Sequence, residues 1–191
     1  VGDPQQLNPV ILLGELTNKK LRRRYHVSDE YDYRENSIYK TYLACDAVSD
    51  EVLLRNHYRC NKEIIGFNNK KYYNSKLKIQ SKSKEPEPLV YMDVKSDNTQ
   101  IKNTSPAEVE EVVEYALLNK DKSIAVITPF VNQKQLIENA IKQNKLSNLV
   151  CGTVHAFQGD EKDVVLFSTA ISERTSSGTY NWLKNNKELI N

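Results

Sequence analysis

Three short stretches of this 191-residue sequence combine residue types that handle phosphates, bases or sugars. In Gly2-Asp3-Pro4-Gln5-Gln6-Leu7 a Gly and a Pro set a sharp turn, and a Gln amide such as that of Gln6 both donates and accepts, which suits sensing a terminal phosphate or a water. Taken alone, this is an ordinary turn more often than a sensor. In Leu53-Leu54-Arg55-Asn56-His57-Tyr58-Arg59-Cys60 an Arg can offer a planar fork to a phosphate and the neighbouring Tyr a flat face to a base. The same octapeptide in isolation reads as a surface Arg beside a half-buried Tyr. The third stretch, Thr153-Val-His-Ala-Phe-Gln-Gly-Asp-Glu-Lys-Asp-Val-Val165, runs from a strand into a Gly turn. Thr153 and His155 lie on one side, and Glu161 is placed to bind a hydroxyl such as that of a ribose. It is the most specific of the three, although a lone His155 would more often be a satisfied structural histidine.

Other chemistries find less support. The 27 Lys plus Arg against 25 Asp plus Glu leave a net charge of only +2, too little to argue a polyanionic partner from charge alone. Cys45, Cys60 and Cys151 have neither the even count of a disulfide framework nor the paired spacing of a zinc site, so they read as packing residues in a reducing cytoplasm. No run approaches the ~18 apolar residues of a membrane span and no secretory signal opens the chain, so a soluble cytoplasmic protein with no membrane partner is expected. No carboxylate cluster with a positioned Lys marks a nuclease. Asp29-Glu30-Tyr31-Asp32 mimics a magnesium-binding DExx box, yet no apolar strand leads into it and it reads as a decoy.

The elements that must position these residues follow from apolar spacing. Residues 17–36 are charged without an apolar period and predict a solvated loop or frayed helix, in which Arg22-Arg23-Arg24 could touch phosphates but reads better as a solvated charge run. Ile38, Tyr39, Tyr42 and Leu43 recur at helical spacing, and residues 51–55 turn to an extended pattern. Asn61 caps a helix presenting Ile64, Ile65, Phe67 and Tyr72 to a core and ending near Asn74. A surface loop over 80–88 and a strand over 89–94 come next. Ser105-Pro106-Ala107-Glu108 is a capping box with Pro at the first helical position, opening a helix that buries Val109, Val112, Val113, Ala116 and Leu117. Ile124 to Thr128 reads as a strand buried on both faces, Leu136, Ile137, Ala140 and Ile141 as a helix, and 150–154 and 164–169 as two more strands. This alternation predicts an α/β layer with ligands at the carboxyl ends of its strands, where the polar signatures fall.

In this order the signatures resemble the later motifs of superfamily 1 helicases, in the branch that contains the nonsense-mediated-decay RNA helicase and the Dna2-type DNA helicases. GDPQQL is similar to its motif III, LLRNHYRCNKEIIGFNNKKYYNSKL to its Tyr-Arg motif and following helix, and TVHAFQGDEKDVVLFSTA to its motif V. Ile127-Thr128-Pro129-Phe130-Val131-Asn132-Gln133 matches a strand-end segment that this branch uses near the nucleic acid. The resemblance implies a RecA-like fold of P-loop NTPase type, a parallel sheet sandwiched by helices. Residues 1–50 would be a remnant of the first RecA-like domain with its connector, and 51–191 the second RecA-like domain, truncated before the last motif.

The same resemblance implies that Gln6 and Arg59 approach the γ-phosphate of ATP, that Tyr58 stacks on the adenine, and that Gly159 and Glu161 border the nucleotide. Thr153 and His155, with Thr128, Pro129 and Gln133, would line the path of a single strand of DNA or RNA, chiefly along its sugar-phosphate backbone. Movement 5′ to 3′ is implied too. No pair of the six glycines forms G-x-x-x-x-G-K-[ST], so the phosphate-cradling loop is absent from these residues. The Mg²⁺ ligands are accordingly expected mainly outside this chain, in a first RecA-like domain that is its partner. The chain reads as a piece of a longer protein, inactive as an ATPase when isolated. The alternative is a catalytically silent nucleic-acid-binding or interaction module that keeps the helicase fold.

Overall fold

The run Ile-Ala-Val-Ile, unbroken by a charge, can be satisfied only where both faces are covered, and in the computed structural model it becomes the middle strand of a parallel sheet. The structure describes residues 3, 5, 11–46, 50, 52–83, 85–95, 101–157, 160–186 and 189, with His155 described by its backbone only. The chain divides into two compact units, Val1–Val90 with Ile190–Asn191, and Tyr91–Leu189.

The second unit holds helix α4 (Pro106–Leu118), strand β3 (Ile124–Ile127), helix α5 (Val131–Asn144), strand β4 (Leu149–Gly152), strand β5 (Val164–Phe167) and helix α6 (Ser177–Asn185). The order is β4-β3-β5, all parallel, with Ile124 in register with both Leu149 and Val164. This is the α/β layer that the alternation predicts, with the parallel sheet that the resemblance to a RecA-like domain implies. Ile124 and Val126 of β3 and Leu149 of β4 pack with Val112 and Ala116 of α4, Ile137 of α5 and Leu146, all within a tenth of full burial. Leu117, expected in the core, is exposed, because it falls on the outer side of α4. The opposite edge of the sheet is closed by Asp163, whose carboxylate accepts from the Ser123 amide at 2.8 Å and hydroxyl at 2.6 Å. The Ser123 hydroxyl and amide hold the Asp163 carboxyl below its usual range.

The first unit holds helices α1 (Glu15–Tyr25), α2 (Ile38–Cys45) and α3 (Lys62–Tyr72) and two short parallel strands, β1 (Asn56–His57) and β2 (Lys78–Ile79). Of the solvated loop or frayed helix expected here, the first part is helical as α1, and polar groups supply the side that an apolar face would otherwise provide. Asn18, buried, donates to Asp32 at 2.9 Å, and the Arg22 guanidinium bridges Asp32 and Asp29. Arg22 is therefore committed to carboxylates, and Asp32 of the DEYD sequence is a buried structural anchor. Asn61 caps α3 as expected, accepting from the Glu63 amide at 3.0 Å, a bond of a kind that contributes about 1 kcal/mol. Ile64 and Phe67 stay exposed while Ile65, Asn69 and Tyr72 turn inward.

Two expected strands differ. The extended stretch before the Tyr-Arg turn pairs only at Asn56–His57, and residues 52–55 form no ladder. Residues 89–94 form no strand, and Leu89, Val90, Tyr91 and Met92 are exposed. A strand draws its stability from a neighbour's ladder and a covered face, and the described residues offer this run neither. The cysteines also divide: Cys151 packs against the core, where burial pushes its thiol up to about 12, whereas Cys45 is exposed.

Candidate functional site at the carboxyl ends of the strands

Three adjacent strands of one parallel sheet end at the same edge, so the residues following them are brought together. After β3 comes Thr128, wholly buried, whose amide donates to the Gly152 carbonyl at 3.1 Å and whose hydroxyl accepts from the Phe130 amide at 3.4 Å. These bonds fix the turn that carries half-buried Pro129 into α5. After β4 the half-buried Thr153 accepts from the Ala156 amide at 2.9 Å, closing a 3-10 turn over Val154–Phe157 that includes His155. A Cβ on Gly152 would stand 2.8 Å from the Phe157 ring and 2.9 Å from the Ala156 methyl, so this turn folds back where only a glycine leaves room. Gly159 lies outside the described residues, as does the His155 side chain. Glu161 is exposed beyond the turn, its amide donating to Asp160 at 2.9 Å, and Asp160 pairs with Lys162 at 3.2 Å.

Beneath this edge lies a buried polar network that the sequence does not announce. Gln133 is fully buried; its amide oxygen accepts from the Ser105 N–H at 2.8 Å and its nitrogen donates to the Ser105 carbonyl at 3.2 Å and the Ser168 hydroxyl at 2.9 Å. Ser168, following β5, also donates to the Glu108 carboxylate at 2.6 Å, which accepts from the Ala170 amide as well. The capping box expected at α4 is therefore only half formed. Ser105 accepts from the Glu108 amide at 3.3 Å, but the Glu108 side chain turns to the loop after β5 and Gln133 takes the Ser105 N–H. Gln133 and Thr128 thus hold the edge from below, and Pro129 and Thr153 form its accessible part.

The Tyr-Arg turn is built in the first unit. Asn69 of α3 brackets Leu77 through both backbone groups at 2.9 and 3.1 Å, which sets β2 beside β1. At the end of β1 the Cys60 amide donates to His57 Nε2 at 3.0 Å, pinning a turn that leaves Tyr58 67% exposed and Arg59 exposed. Near the chain start Asp3 accepts from the Gln5 amide at 2.9 Å and from the Tyr73 hydroxyl at 2.6 Å, while Gln6 lies outside the described residues.

Burial, then the nearby Arg59 charge, holds the His57 imidazole below its usual pKa. A folded-state value below the unfolded one, ~6.5, stabilises the turn above that value and loses the effect as pH falls through the lower one. Protonated Nε2 would be a donor facing another donor. Hydrogen-exchange protection of the Cys60 amide should therefore fall on acidification below the ordinary imidazole value of about 6.5. Protection that stays constant over the whole acid range in which the protein remains folded would refute the acceptor role of His57.

Polar residues gathered at the carboxyl ends of parallel strands stand where α/β sheets take their ligands, and likeness to one family and to helicase-named proteins supports a domain of the superfamily 1 helicase type. Residues 34–190 match the family model described as AAA domain, and the chain belongs to that family. It is 28% identical to the human "Probable helicase with zinc finger domain", over 99% of this chain and 10% of that protein. It is 24% identical to mouse "RNA helicase Mov10l1", over 90% of this chain and 17% of that protein. "Helicase sen1" of Schizosaccharomyces pombe is 27% identical, over 88% of this chain and 11% of that protein. The chain therefore spans a small part of each of these relatives.

Proposed function

We propose that this chain works as the second motor domain of an ATP-dependent superfamily 1 helicase. It would complete the ATP site at the interface with a first RecA-like domain and grip a single strand of DNA or RNA. The observation that carries the reading is the strand-end edge, where Pro129 and Thr153 stand on neighbouring strands locked by the Thr128 to Gly152 bond. A rigid pair of backbone-reading residues on adjacent strands fits a path that follows phosphates and sugars and ignores sequence. Helicase-named relatives support the class of motor.

ATP fits the residue types present, since Tyr58 and Arg59 are exposed residues on one pinned turn, an aromatic for a base and a guanidinium for a phosphate. The nucleotide supplies a transferable phosphoryl group whose hydrolysis drives domain opening and closing. In this reading Tyr58 holds the base, Arg59 and Gln6 meet the γ-phosphate, and Gly159 and Glu161 border the sugar side. Among the described residues no group of three or more His, Cys, Asp or Glu is placed to hold Mg²⁺, so the ion's ligands are assigned to the first RecA-like domain. With no P-loop in the sequence, the chain by itself would neither hydrolyse ATP nor unwind a duplex.

Replacing both Thr153 and His155 by Ala should weaken single-strand binding to a similar degree for unrelated sequences. The measurement is fluorescence anisotropy of labelled oligonucleotides at low and moderate salt. Unchanged affinity under both conditions would remove the two residues from the binding path.

A further inference from the structure

Beside the strand-end edge, within the second unit, lies an open groove of about 490 Å³, in the size range of small-ligand sites. Its floor is aromatic. The Phe130 ring is 7% exposed and supports the Trp182 ring of α6 at a centroid separation of 6.2 Å, while Trp182 remains 43% exposed. A bulky ring supported by a buried neighbour and left nearly half in solvent offers apolar, polarisable surface to a flat partner. The rim is polar and cationic: Lys102 is exposed, and among the described residues that line the groove there is no Asp or Glu. The Lys102 loop is tied down, its carbonyl accepting from Asn132 Nδ2 at 3.0 Å. Pro129 belongs both to this groove and to the strand-end edge, so the two are continuous.

We propose that this groove is a base-stacking subsite for single-stranded nucleic acid, with Trp182 as the platform and Lys102 as a phosphate contact. The inference rests on the nucleic-acid reading above and adds to it a contact with the bases. A flat half-exposed indole has no use for a phosphate, whereas every nucleobase offers a face that can lie on it, and the cation at the rim meets the phosphate flanking that base. Stacking of this sort adds affinity without reading sequence, in keeping with backbone contacts at Pro129 and Thr153.

Trp182 is the chain's single tryptophan, so its emission reports on the groove directly. Titrating the protein with oligothymidylate or oligouridylate should quench that emission saturably, and an abasic oligomer of the same length should bind more weakly and fail to quench. Trp182→Ala should lower affinity about tenfold by anisotropy of a labelled oligomer, and Trp182→Phe, which keeps a ring on Phe130, by less. Lys102→Ala should reduce the salt dependence by about one phosphate contact. Circular dichroism of each variant excludes misfolding, and Trp182→Phe keeps the test decisive if the alanine variant is unstable. Normal oligonucleotide binding with no quenching, and with Trp182→Phe and Lys102→Ala unchanged, would overturn the subsite and leave the groove as a protein-contact surface. No binding to any oligomer would overturn the nucleic-acid reading itself, and the subsite with it.

Discussion

In the motor proposed above, replacing Arg59 by alanine should lower the ATP turnover of the longer protein by about 10³-fold, the scale on which a guanidinium at a transferring phosphoryl group acts. Single-strand affinity in the absence of nucleotide should stay as it was, because the role proposed for Arg59 is toward the γ-phosphate and not toward the strand. The effect is expected to be large because Arg59 is held by its surroundings. The turn that carries it is pinned by the Cys60 to His57 bond, and β1 beneath is set by β2 and the Asn69 bracket, so little ordering is left for the moment of reaction. Arg59→Lys should rescue poorly, since an ammonium lacks the planar fork that meets two oxygens at once. The measurement is steady-state ATPase with saturating single strand. Turnover near the parent's would end the catalytic assignment, and an equal loss of strand binding would move Arg59 to a different role.

Gln133→Leu should lower stability by roughly 2 to 4 kcal/mol, although the new side chain has similar volume and suits a buried position. The loss comes from what the glutamine leaves behind. The N–H of Ser105, a residue 3% exposed, would lose the Gln133 acceptor, and the hydroxyl of Ser168, 4% exposed, would lose the donor that complements Glu108. Each orphaned buried group costs about 1–3 kcal/mol, and each kcal/mol lowers the midpoint of a unit this size by about 4–8 °C. Thermal unfolding is the measurement. Below its own transition the variant should bind single strands almost as the parent does, because the amide works from beneath the edge. A folded variant of unchanged stability that fails to bind would show instead that Gln133 leaves its bracket and touches the strand.

The parts of the fold legible in the sequence are those fixed by local apolar pattern. Strands β3, β4 and β5 were readable as short apolar runs, and α4 and α5 as helical spacing, because burying those faces is what the sheet and helices are for. The caps at Ser105 and Asn61 were readable for the same local reason. What escaped depends on partners distant in sequence. Helix α1 has no apolar period because its inner side is an Asn18 and Arg22 bracket on Asp32, 14 and 10 residues away. Glu108 reads as a capping residue until Ser168, 60 residues on, offers it a better donor. Residues 89–94 carry strand-forming side chains, yet pairing is a property of a neighbour. At the candidate site, the placement of Pro129 and Thr153 on one edge follows from strands that were legible. The burial of Gln133 and Thr128 does not, since composition cannot say which amide will be consumed by Ser105. Trp182 went unread because one tryptophan in a short polar helix has no pattern around it; its being the sole tryptophan was the available signal.

The glycine ending β4 constrains how this sequence can drift. With the Phe157 ring and the Ala156 methyl both inside 3 Å of where a side chain at 152 would begin, positions 152, 156 and 157 are not three independent letters. Any lineage that acquires a side chain at Gly152 must shrink or reorient the other two in the same step, or shift the Thr153 to His155 segment that they support. Variation in these three columns should therefore be correlated, and a chain in which the glycine alone has changed marks a protein whose turn after β4 has been rebuilt.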